Sequence, residues 1–128
     1  MKPTLLVLED APYWFPECQR AFGPAVEVLA RPLDRAAIAE LTRSRPSLAL
    51  ADLSGGGSGE RVPTPHLVRS LLDGGAPLIA IVPGNSPGAS APVDEWWLRE
   101  LGTAAVFVDD VPRETVMSAC RRILFPGG

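Results

Sequence analysis

The chain has no long apolar run, only two cysteines, one histidine and no surplus of basic residues. Each of these shortages removes a class of function. With 12 Lys and Arg against 15 Asp and Glu, the net charge is −3. There is no basic stripe of the kind that neutralises phosphates, so nucleic acid is not an expected partner. The apolar run after Met1-Lys2-Pro3, TLLVLE, is too short for a secretory signal and far too short to span a bilayer. A cytoplasmic protein without membrane contact is expected. Cys18 and Cys120 lack the close spacing of a redox or zinc motif, and in a reducing compartment they read as small buried hydrophobes. His66 has no Cys, Ser or carboxylate spaced to make a triad or metal motif with it, so it reads as a surface residue and hydrolase chemistry is not expected.

No internal repeat or linker interrupts the sequence. Its 128 residues, 46% of them apolar, suffice for one closed core and are too few for two ordinary domains. Residues 1–128 therefore read as a single domain. Five apolar segments, near 4–9, 26–30, 47–52, 77–82 and 104–109, are rich in Leu, Val, Ile or Ala without polar alternation. Strands buried on both faces have this composition. Helical segments fill the gaps, and the alternation predicts an α/β fold with one doubly wound parallel sheet of five strands.

Asp34 is placed to cap a helix over 35–44, with Leu33 and Ile38 stapled across it and Pro46 ending it. Thr64-Pro65 opens a helix that carries Leu67, Val68, Leu71 and Leu72 on one face and stops at Gly74-Gly75, where a left-handed cap is sterically free. Pro112 falls in the first turn of the last helix. Val116, Cys120 and Ile123 form its inward stripe, and Arg121-Arg122 lie near its negative end. The first helix is less regular, because Pro12 and Pro16 stand four apart, and a short helix starting near Pro16 is expected. The stretch 84–92 reads as an irregular loop.

The chemistry concentrates in carboxylates. Glu9 and Asp10 end the first strand, and Asp52, 42 residues after Asp10, ends the third. In a parallel α/β sheet the carboxyl ends of neighbouring strands open into one crevice, so these groups are expected to converge on a cation. The order of elements, the acidic pair after the first strand and the lone Asp after the third resemble the receiver domain of response regulators over nearly the whole chain. That resemblance implies a flavodoxin-like (βα)5 fold with strand order 2-1-3-4-5. It also implies Mg²⁺ held by Glu9, Asp10, Asp52 and the backbone carbonyl of Ser54, with Asp10 a direct ligand and Glu9 acting through water. Asp52 would accept a phosphoryl group from a histidine kinase or phosphotransfer protein. Positioning and charge neutralisation carry most of such a transfer, which is what the cation would supply. The domain would be a signalling module and not an enzyme, passing its state to a downstream protein.

Two positions depart from that family. Where receivers carry Thr or Ser after the fourth strand, the run LIAIV meets Pro83, which has neither hydroxyl nor N–H. Where they carry Lys after the fifth strand, this chain has Asp109. At about 6 Å and an effective dielectric near 20, that reversal would turn attraction to Asp52 into roughly 3 kcal/mol of repulsion. The alternative reading is therefore a pseudo-receiver that works by contact without phosphorylation. Trp96 and Trp97, neighbours on a helix, cannot both face one core. Val93, Trp97 and Leu101 share the stripe, which leaves two readings of Trp96: outward, as an interaction face that could also join two copies of the chain, or folded under the adjoining proline-rich loop. The run Ser54-Gly55-Gly56-Gly57-Ser58-Gly59 misses P-loop, dinucleotide and nucleophile-elbow spacings and reads as a flexible loop. A flavodoxin-like small-molecule binder is a third reading, opposed by two carboxylates where a flavin phosphate would sit.

Overall fold

A computed structural model describes residues 2–10, 12–32, 34–53, 69, 72–73, 75–82, 103–108 and 110–126. Five parallel strands form its frame: β1 (Thr4–Leu8), β2 (Glu27–Arg31), β3 (Leu48–Asp52), β4 (Leu78–Val82) and β5 (Ala105–Val108). They are ordered β2-β1-β3-β4-β5 in a single sheet, with Leu5 beside Val28 and Leu48, and Ala51 beside Leu8 and Ala80. The α/β class, the parallel sheet and the strand order are thus as the sequence and its resemblance implied. Each strand falls within a residue of its predicted limits.

The absence of polar alternation has a direct cause, since every residue of β4 and the first four of β3 are buried. One sheet face, with Leu5, Val7, Leu48, Leu50, Ile79 and Ile81, packs against α1 (Trp14–Phe22) and α3 (Arg113–Leu124). The other face, with Leu6, Leu8, Ala49, Ala51 and Ala80, is equally dry. α2 (Arg35–Ser44) has the predicted limits. Just beyond it Arg45 adopts a left-handed backbone (φ 44°), as residues that stop helices commonly do. Leu33 lies outside the described residues, as does most of the helix predicted after Thr64. The end of that helix is described: Gly75 has φ 82° and its N–H donates to the Leu72 carbonyl at 3.0 Å. A side chain there would meet no steric obstacle, so the backbone angle is the reason for glycine.

Two helices differ in detail from expectation. α1 begins at Trp14, two residues before the predicted start, and takes Pro16 into its first turn. Proline is tolerated there because a first-turn N–H has no partner inside the helix. Pro112 occupies the N-cap of α3 instead of its first turn. α3 buries Val116, Met117, Cys120 and Leu124, with Ile123 partly covered. Trp14 and Cys18 of α1 are 1% and 0% exposed, which anchors the first turn of α1 directly beneath the crest formed by the carboxyl ends of the strands.

Candidate functional site at the carboxyl ends of the strands

The register decides which acidic positions meet. Leu8 of β1 lies beside Ala51 of β3, so the next residues along, Glu9 and Asp52, come out at the same edge on adjacent strands, with backbones roughly 5 Å apart. The parallel pairing continues past the strand ends. The Glu9 N–H donates to the Arg31 carbonyl at 3.1 Å, and the Leu53 N–H donates to the Ile81 carbonyl at 2.7 Å. Asp52 is half-buried and Asp10 is exposed.

Glu9 is different, being only 7% exposed. Its Oε1 accepts from the Tyr13 N–H at 3.0 Å and the Trp14 N–H at 2.9 Å, while Oε2 accepts from the Phe15 N–H at 3.0 Å. The next residue, Pro16, has no N–H to satisfy. One carboxylate thus takes every available donor at the start of α1, and its charge lies at the positive end of the helix dipole. The N-cap residue itself, Tyr13, contributes no side-chain cap. An ionised carboxylate has about four lone-pair sites, and the helix occupies three of them here. Sequence reasoning missed this cap. The available signal was an acid shortly before a helix whose first turn contains proline, with no Ser, Thr, Asp or Asn at the N-cap.

Two further side-chain assemblies flank the crest. Arg31, the last residue of β2, grips Glu40 of α2 with Nε at 2.9 Å and Nη2 at 3.2 Å, and its Nη1 donates to the Ala30 carbonyl at 2.7 Å. Arg113, the first residue of α3, donates from Nε to the Tyr13 hydroxyl at 3.1 Å and from Nη1 to Glu17 at 2.9 Å. Its guanidinium lies 4.7 Å from the centre of the Tyr13 ring. The Tyr13 hydroxyl bond, then the Tyr13 charge, and then Glu17 raise its pKa further. Arg31 and Arg113 are therefore both held by partners to either side of the crest.

Below the crest, Cys18 and Cys120 are free and buried. Burial pushes the Cys18 thiol well up, helped by repulsion from Cys120, Glu9 and Glu17. Burial likewise pushes the Cys120 thiol up to about 12, against a small opposing backbone hydrogen bond. Thiols held protonated in this way are poor nucleophiles and metal ligands.

Among the described residues, no group of three or more His, Cys, Asp or Glu side chains could hold a metal ion. Asp10 and Asp52 are the other carboxylates that the ends of β1 and β3 bring to this edge. Ser54, Pro83, Trp96 and Asp109 lie outside the described residues, as do His66 and Trp97. No helix among the described residues is long and apolar enough to cross a membrane.

No family model matches the chain, and no curated protein sequence matches it. Solved structures do. The receiver domain of a LuxO repressor protein from Vibrio parahaemolyticus superposes with a TM-score of 0.73 at 16% identity, covering 97% of this chain and 91% of that one. The chemotaxis response regulator CheY4 of Vibrio cholerae superposes at 0.68 with 15% identity, covering 97% of this chain and 100% of that one. The activated N-terminal receiver domain of RstA from Klebsiella pneumoniae superposes at 0.65 with 19% identity, covering 95% and 98%. The chain has the receiver fold, with a sequence far removed from these neighbours.

Proposed function

We propose that this chain is an atypical receiver domain of two-component signalling, in which Asp52 accepts a phosphoryl group and the state of the crest passes to another protein by contact. The observation that carries the reading is the position of Asp52. It is the last residue of the central strand β3, flanked on one side by the end of β1 with Glu9 and Asp10 and on the other by Ile81 of β4. Asp10 and Asp52 would hold Mg²⁺, which when bound would neutralise charge on the incoming phosphoryl group. Asp52 supplies the attacking carboxylate oxygen. Glu9 holds the start of α1 at the end of β1, beside the strand that carries the acceptor. On this reading the donor is a histidine kinase, a phosphotransfer protein or a small phosphodonor, the setting is cytoplasmic, and the module signals instead of turning over a substrate.

A specific observation favours a second reading, contact signalling without phosphorylation. Glu9 is buried in three helix hydrogen bonds, and the sequence carries Pro83 and Asp109 where a hydroxyl and a cation would assist transfer. Incubation with Mg²⁺ and acetyl phosphate, followed by intact mass measurement, separates the two. The first reading expects one phosphoryl adduct, abolished by Asp52→Asn; a folded protein that takes up none supports the second.

A further inference from the structure

Between the ends of β1 and β2 and the first turn of α1 lies a groove of about 240 Å³, lined by Glu9, Asp10, Pro12, Phe15, Ala30, Arg31 and Pro32. Its floor is apolar, made by Pro12, Phe15, Ala30 and Pro32. Its volume is below the range of small-molecule sites and suits one long side chain. The charges around it are unequal in availability. Arg31 is held by Glu40 and the Ala30 carbonyl, and Glu9 by three N–H groups of α1. Asp10 is exposed and makes no hydrogen bond or ion pair among the described residues. The groove therefore offers an apolar channel with an aromatic ring and one unsatisfied negative charge at its rim.

We infer that this groove receives an arginine or lysine side chain from the partner protein, its aliphatic stem lying on Pro12, Phe15 and Pro32 and its cationic head reaching Asp10. Long cationic side chains bury an apolar stem while keeping the charged end at the wet rim, and a guanidinium can also rest against the Phe15 ring. Charge complementarity selects this occupant. An acidic or purely aliphatic side chain would leave Asp10 repelled or unpaired, whereas the nearby cations Arg31 and Arg113 are both held elsewhere. The inference rests on the second reading, contact signalling without phosphorylation, in which Asp10 is not taken by Mg²⁺, and it states the chemistry of what docks on the β1–β2 side of the crest, one strand away from Asp52.

The test needs neither Mg²⁺ nor a phosphodonor, so its failure is distinct from failure of phosphoryl uptake. Nitrogen-15 labelled protein is titrated with a capped Gly-Arg-Gly peptide and, in parallel, with the same peptide carrying citrulline, which keeps the shape and loses the charge. The expected result is saturable shifts at the amides of Asp10, Phe15, Ala30 and Arg31 with the arginine peptide. Binding should weaken about two- to fivefold with citrulline and by a similar factor in Asp10→Asn, the size of one rim ion pair. Equal binding of both peptides, indifference to Asp10→Asn, or shifts confined to other amides would overturn the inference.

Discussion

The helices α1 and α3 start side by side at the same crest, yet their beginnings are built in opposite ways. α1 is fixed from below by a buried carboxylate that comes from the end of β1. α3 follows Pro112 and has no side-chain cap; although the two helices share the core below, its start is tied to α1 at the surface, through Arg113 to Tyr13 and Glu17. Bonds buried with a charge and bonds exposed to water differ greatly in their worth. The contrast identifies α1 as the fixed wall of the crest. The contact between the two helices near solvent adds orientation and little energy.

Substitutions can break that contrast. The largest effect is expected from Glu9→Ala, which strands the N–H groups of Tyr13, Trp14 and Phe15 and should cost about 2–4 kcal/mol in urea unfolding. Glu9→Gln, which keeps an acceptor but loses the charge, should cost about half as much. A loss below about 0.5 kcal/mol for Glu9→Ala would show that water replaces the cap and that α1 is not fixed from below.

Next is the effect of pH on the layer where α1 and α3 meet. The folded pKa values of Cys18 and Cys120 are raised, so native thiols stay protonated where unfolded thiols ionise. Their contribution to stability is complete below the ordinary thiol pKa of 9.0 and is lost progressively as pH climbs toward the Cys120 value of about 12. By pH 10 each thiol should remove about 1 kcal/mol. A Cys18→Ala, Cys120→Ala double variant should show a flatter decline between pH 8 and 10 than the parent.

The surface ties come last. Arg31→Gln, which loosens β2 from α2, should cost about 0.5 kcal/mol, given that both partners are partly exposed. Arg113→Ala should leave the urea midpoint unchanged within error, and a clear drop would erase the distinction between the two helix starts.

Much of this molecule is legible without coordinates. The strands could be read because burial on both faces imposes uninterrupted apolar runs, as in LIAIV of β4 and LALA of β3. α2 could be read from Asp34 and Pro46, which bracket it. The proline pair obscures the start of α1: Pro16 reads as a starting point, yet its missing N–H is harmless anywhere in the first turn, so the helix begins at Trp14. The candidate site was legible as a placement and opaque as a set of roles. Spacing puts Glu9 and Asp52 at one edge, but whether a carboxylate faces solvent or a helix end depends on where α1 begins. Adjacent acids thus differ sharply: Glu9 is folded into the helix start, while Asp10 stays exposed. The arginine ties could not be foreseen at all, since Arg113 and Tyr13 are 100 residues apart and no periodicity links them.

The most direct test of the account is chemical localisation of the acceptor. After exposure of the protein to Mg²⁺ and acetyl phosphate, borohydride reduces an aspartyl phosphate to homoserine, which peptide sequencing then places. The account predicts homoserine at position 52 in the β3 peptide. Homoserine at another aspartate, or none in a protein shown to be folded, would contradict it.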